Sequence, residues 1–197
     1  MGEAAVIHDV DATLKELLVQ KMPLDVSAVD VSFDMPNRDW STHVVKPTLN
    51  LFLYGVRENH EVRSNQRALV RNGAVGIERR APVRVDLTYL ISAWTTDISD
   101  EHQLLGRVLN TLLRFPLLPD DVLKGALLTQ PGTVQAWIAQ PENTPNPWDF
   151  WGNMENRLKA ALNFVLTVSF EPDQPQEVRL VTTSTVHVQQ QGLSQPA

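Results

Sequence analysis

Any catalytic or metal-binding chemistry would have to be assembled from a small stock of side chains. Five histidines stand at positions 8, 43, 60, 102 and 187. A zinc or iron centre needs several ligands converging on one point, which helices supply with HxxxH or HExxH spacing. None of the five has such a neighbour, and they fall in different predicted elements, so they read as surface or capping residues. The chain has no cysteine, which excludes disulfides, thiolate metal sites, iron–sulfur clusters and a cysteine nucleophile. Thr183, Ser184 and Thr185 lie near His187, but strand neighbours point to opposite faces and no GxSxG elbow accompanies them. The paired acids Asp9/Asp11, Asp100/Glu101 and Asp120/Asp121 sit at helix surfaces or helix starts, where the helix dipole favours carboxylates. There is no GxGxxG and no GxxxxGK[ST], and the glycine-bearing stretch RNGAVG leads toward a strand instead of opening a helix. No cofactor, no metal and no enzymatic activity are expected.

Binding surfaces are better represented than chemistry. The formal net charge is -6, yet Arg57 to Arg84 holds seven arginines against Glu58, Glu61 and Glu78, so that segment is positive by four and the remainder negative by ten. Nucleic-acid binding wants an overall basic face, whereas this dipolar layout suits docking between oppositely charged surfaces. A solvated arginine-bearing loop is the plainer reading of the same residues. Trp148, Phe150 and Trp151 could line a ligand site, anchor a loop onto the core or form an interface hot spot. The acids Glu142 and Asp149 beside them oppose base stacking on nucleic acid. Arg63, Arg67, Arg71, Arg79, Arg80, Trp148 and Trp151 are therefore the candidate interface residues.

These residues must be held by regular elements. Ile7, Val10, Leu14, Leu17 and Leu18 recur as one helix face between about Ala4 and Lys21, and Pro23 follows. Val29, Val31 and Phe33 alternate with polar residues as in a half-buried strand. TLNLFLYGVREN is apolar on both sides of its alternation, which predicts a central strand covered on both faces. Residues 59–81 carry the arginines and two glycines and read as a long mobile loop or a hairpin tip. PVRVDLTYLISAWTTD is the strongest strand. After it, Asp97 or Ser99 caps a helix whose stripe runs through Leu104, Leu105, Val108, Leu109, Leu112 and Leu113 before Pro116 and Pro119.

A short helix near Asp121, a strand at Thr133 to Ile138, and a helix with Pro147 in its first turn are the weaker expectations. ALNFVLTVSF and EVRLVTTSTVHVQ, joined by EPDQPQ, predict a C-terminal hairpin ahead of the tail QQQGLSQPA. No repeat or domain linker interrupts the chain. The reading is α+β, one domain, with a mostly antiparallel sheet packed by an N-terminal and a central amphipathic helix. Nothing approaches 18 consecutive apolar residues and the N-terminus is broken by acids, so neither a membrane span nor an export signal is expected.

The segment YLISAWTTDISDEHQLLGRVLNTLLRFPLLP resembles the tube-terminating cap proteins, of the antifeeding-prophage type, found in phage-tail-like extracellular contractile injection systems. The likeness begins at AVIHDVDATLKELL, continues through PTLNLFLYGVREN and ends with WDFWGNMENRLKAALNFVLTVSF. It implies a tail-terminator-like fold over residues 1–188 with a flexible tail at 189–197. It also implies a structural function: a homo-oligomeric ring, a hexamer, on the distal end of the inner tube, ending tube polymerisation and seating the last layer of sheath. The implied partners are further copies of the chain, the tube protein and the sheath protein. The implied setting is cytoplasmic assembly followed by incorporation into the particle. Arginines 57–84 would meet a neighbour or the tube, and the C-terminal strand edge would meet the sheath. Two alternatives stand beside this: an adaptor joining tube or sheath to baseplate or membrane, and a small-ligand-binding or hydrolytic domain built on the tryptophans and His187.

Overall fold

The computed structural model describes residues 6–22, 24–25, 27–64, 67–72, 75–140, 146–155, 157–171 and 176–179. They group into two compact units, one drawn from residues 1–64 and 82–172 and the other from 65–81 and 173–197.

The larger unit is an α+β structure around a five-stranded sheet. Its elements are α1 (Val6–Lys21), β1 (Asp30–Ser32), α2 (Arg38–Thr42), β2 (Thr48–Glu58), β5 (Val83–Trp94), α3 (Ile98–Leu113), β6 (Gln135–Ile138), α4 (Pro147–Asn153) and β7 (Ala161–Phe170). The smaller unit holds β3 (Arg67–Asn72), β4 (Val75–Arg80) and β8 (Gln176–Arg179). Strand order in the large sheet is β1-β2-β5-β7-β6, and only the β1–β2 pair is parallel.

Alternation along these strands gives the sheet two chemically different faces. Leu49 and Leu51 of β2, Leu87, Tyr89 and Ile91 of β5, Phe164, Leu166 and Val168 of β7, and Ala136 and Ile138 of β6 share the first face and are buried. Val10, Leu14, Leu17 and Leu18 of α1, with Leu104, Leu105, Val108 and Leu112 of α3, complete that core. Each fully buried leucine contributes roughly 1.5–3 kcal/mol by leaving water. Helix α3 starts where expected, with the Asp97 side chain accepting from the Ser99 N–H at 2.7 Å. Its stripe is narrower than the sequence suggests: Leu113 is 59% exposed because, five residues on from Val108, it lies about 140° around the helix from that buried side chain.

Three of the paired acids turn inward instead of decorating a helix surface: Asp9, Asp11 and Glu101, the last of which is 9% exposed and pairs with Lys159. Tyr89, fully buried, donates its hydroxyl to Asp11 at 2.7 Å. Asp9 reaches the turn 125–128 and accepts from the Ala126 N–H at 2.9 Å, while the Thr13 hydroxyl accepts from the Lys124 N–H at 3.0 Å. Gly125 at that contact has φ +53, and a Cβ there would lie 2.2 Å from the Asp9 carboxylate. Thus α1 is bolted to the 3₁₀ segment through side chains that close otherwise unpaired backbone donors.

In the smaller unit β3 and β4 form an antiparallel hairpin, with Arg67 opposite Arg80 and Asn72 opposite Val75. Of the two readings of residues 59–81, the hairpin is the one found. The C-terminal hairpin is not. Both edges of β7 are already taken, by β5 and β6, so β8 pairs with β4 through Val75↔Arg179 to Glu78↔Gln176. The remainder of that predicted strand, and the tail, lie outside the described residues.

Candidate functional site

The second face of the large sheet collects polar side chains and one run of aromatics. Asn50 and Ser92 are fully buried there, and Thr88, Asn163, Thr167 and Ser169 are at most 5% exposed. Buried polar groups need partners, since an unmatched one costs about 1–3 kcal/mol. Most find them across strands, although Asn50 Oδ1 has none among the described residues: the Tyr54 hydroxyl donates to Asn163 Oδ1 at 2.5 Å, and the Thr167 hydroxyl donates to Asp86 Oδ1 at 2.5 Å. Asn59 Nδ2 donates to the same Asp86 oxygen at 3.1 Å. Arg84 donates to Ser169 Oγ at 2.7 Å and to the carbonyls of Pro131 and Thr133, holding the 130–133 loop against β7. The sequence groups Arg84 with the basic segment, but its guanidinium is committed inside the fold. Nothing in the spacing signals this, because its partners lie at least 47 residues away.

One end of the second face is closed by aromatic rings. Trp40 of α2 meets Trp94 edge-on with centroids 5.3 Å apart, and Trp151 of α4 meets the same ring at 6.2 Å. Phe150 packs on Trp151 at 5.6 Å and on Tyr54 at 5.5 Å. Lys159 Nζ stands 4.7 Å from the Trp94 ring centre and forms an ion pair with Glu101. Cover from α4 therefore extends over Phe52 and Tyr54 but not along all of β2, whose Val56 is 55% exposed. The expected two-sided burial of this strand holds only for its first half.

The other end is open. Arg57, Glu58, His60, Glu61, Asp86 and Trp137 line a groove of about 550 Å³. Trp137, on the edge strand β6, is 39% exposed. Asp86 is engaged with Thr167 and Asn59, and Glu58 pairs with Arg63 at 3.4 Å. The Glu61 carboxylate accepts no hydrogen bond from a described residue, although its backbone N–H donates to Asn59 at 3.1 Å.

The candidate interface residues are divided between the two units. Arg63 lies in the larger unit, on Glu58. Arg67 pairs with Glu78 at 3.0 Å and stands directly opposite Arg80 in the hairpin register, and both arginines are exposed. Arg71 and Arg79 belong to β3 and β4, but their side chains, like that of Trp148, lie outside the described residues. Trp151 is 2% exposed, so its ring is an anchor of α4 on Trp94 and not a contact surface. His8 and His102 are exposed on separate helices, His43 caps α2, and His187 lies outside the described residues together with Thr183, Ser184 and Thr185. Among the described residues no three His, Asp or Glu side chains are grouped as for a metal ion. No helix of these residues is long and apolar enough to cross a membrane.

The larger unit is thus defined as an α+β domain whose second sheet face buries polar side chains, most of them bonded across strands. The chain belongs to the Pvc16 N-terminal domain family, which it matches over residues 9–184. Its fold is similar to that of the PVC sheath/tube terminator of an extracellular contractile injection system in the extended state. The TM-score is 0.73 at 22% identity, covering 99% of this chain and 67% of that one. It is also similar to the anti-feeding prophage cap, the AFP tube-terminating cap, with a TM-score of 0.68 at 21% identity over 92% of this chain and 61% of the cap. Comparison with curated proteins gave no match.

Proposed function

We propose that this chain is a structural cap of a contractile injection particle, which closes the distal end of the inner tube as a homo-oligomeric ring, a hexamer, and seats the last sheath layer. The supporting observation is that a likeness in fold to a sheath/tube terminator and a tube-terminating cap runs through nearly the whole chain, in a member of the Pvc16 N-terminal domain family. The reading is non-enzymatic: the chain acts by shape, and its tube, sheath and sister subunits are its partners. It assembles in the cytoplasm before joining the particle. Residues 1–188 act as the cap domain and 189–197 as a flexible arm. Ring closure needs two different complementary surfaces on each subunit, which a positive hairpin and a negative remainder supply. Arg63, Arg67, Arg71, Arg79, Arg80 and Trp148 are the proposed contact residues, and Trp151 supports them by fixing α4.

The test is electron microscopy of particles made with and without this chain. Loss of the chain should give tubes of uncontrolled length that lack terminal density and shed their sheath. Tubes of normal length with ordered ends in its absence would overturn the reading, as would density for the chain at the baseplate. Changing arginines 63, 67, 71, 79 and 80 to glutamate should abolish end occupancy.

A further inference from the structure

We propose that the outward face of α3 docks, antiparallel, on the same face of a second copy of this chain about a two-fold axis at Gly106. The inference stands apart from the cap reading. Helix α3 spans Ile98–Leu113, and Gly106 lies at its middle. A Cβ built there would meet nothing within 4 Å outside its own helix, so no packing inside the chain calls for a glycine. Glycine is nevertheless the least favourable residue after proline in a helix interior. A bare backbone at mid-helix suits a close helix crossing, because the side chains at the contact set the separation of the axes.

The ridge around Gly106 has the composition of an interface centre. Ser99 and Leu113 stand about two turns to either side of it on the outermost line, with His102, Gln103 and Asn110 beside them, and all are exposed. None of them carries a carboxylate, ammonium or guanidinium. A helix face turned to water normally bears such groups, whereas the middle of an interface is depleted of them. Ile98 and Leu113, at the two ends, are 63% and 59% exposed.

A second copy is the fitting occupant because the face is complementary to itself. The charges lie on one flank, Asp100 toward the N-terminus and Arg107 and Arg114 toward the C-terminus. Asp100 has no bonding partner among the described residues. Arg114 donates to the Lys21 carbonyl at 3.3 Å but pairs with no carboxylate among them, so its charge is unmatched. Across a two-fold, each flank lies beside its own counterpart and every contact occurs twice. Asp100 of each copy then comes within a turn of Arg114 of the other, Ser99 opposes Leu113, and Ile98 lies beside Leu113. A parallel pairing would set Asp100 against Asp100 and the arginines against each other. The contact closes after two chains, which separates it from the head-to-tail contacts of a ring.

The chain has no cysteine, so introduced cysteines report the contact directly. Full-length Ser99→Cys and Leu113→Cys chains treated with a short bis-maleimide should cross-link when mixed roughly ten-fold faster than either does alone, because docking makes that reaction effectively intramolecular. Gly106→Gln should melt higher than the parent, as a better helix former in open space, while its dimer dissociation constant in sedimentation equilibrium rises roughly ten-fold or more. Either cysteine variant cross-linking alone as fast as the mixture would overturn the proposal. So would a Gly106→Gln chain that associates like the parent, or a parent chain that sediments as a monomer throughout its soluble range. Should Gly106→Gln melt lower, the two cysteine variants, both at exposed positions, decide the matter. Uncapped tube ends alongside an intact Ser99–Leu113 cross-link would sink the cap reading and leave this contact standing.

Discussion

Gly125→Ala is the sharpest probe of how α1 is held. The residue has φ +53, a region in which an L side chain costs about 1–2 kcal/mol. Its new Cβ would lie 2.2 Å from Asp9 Cγ and Oδ1, so the carboxylate must swing away. That movement breaks the 2.9 Å bond from the Ala126 N–H to Asp9 Oδ2, for a further loss of about 1–2 kcal/mol. The sum, about 3 kcal/mol, corresponds to a melting point lower by roughly 10 °C for a domain of this size. Asp9→Ala removes the hydrogen bond and also makes room for the Cβ. In that background the glycine change should therefore cost only its backbone strain, about 1–2 kcal/mol. Chemical denaturation of the two single variants, the double variant and the parent, followed by circular dichroism, closes the cycle. A glycine substitution costing under about 1 kcal/mol, or two changes that simply add, would refute the geometry.

Asp11 is half-buried, and burial lifts its carboxyl above the ordinary value of 3.8, opposed by the Tyr89 hydroxyl bond and by His8. Because the folded value lies above the unfolded one, this group stabilises the fold below the unfolded pKa and loses that contribution as pH rises through the folded pKa. Asp11→Asn keeps an acceptor for Tyr89 and removes the charge, so it should melt higher than the parent at pH 7 and lose that advantage below about pH 4. An equal difference at both pH values would contradict the assignment. Trp151→Ala should cost about 3–5 kcal/mol, since a ring 2% exposed leaves a cavity between Trp94 and Phe150. A melting curve lowered by less than about 1 kcal/mol would mean that α4 is not anchored through it.

Local pattern was enough where one periodicity decided the outcome. The stripe Leu104, Leu105, Val108, Leu112 announces α3, the alternation Val85, Leu87, Tyr89, Ile91 announces β5, and Pro147 with two tryptophans announces a short helix. In each case the free energy lies mainly in burying one face, and a face is written in the spacing. Strand pairing is a different matter: β8 reads as the partner of β7, yet β7 has no free edge and β8 joins β4.

The sequence alone settled that the chain forms an α+β structure with an N-terminal and a central amphipathic helix packed on a mostly antiparallel sheet, because amphipathic period and turn residues act within a few positions of one another. Only the tertiary structure decided what the charged residues do. Asp11 goes to Tyr89, Asp9 to the Ala126 N–H, Arg84 to Ser169, and Trp137 to the wall of a groove beside Glu61. A hydrogen bond or an ion pair depends on two groups meeting within about 3 Å, and for partners 78 to 117 residues apart that meeting is a property of the folded sheet, not of spacing along the chain.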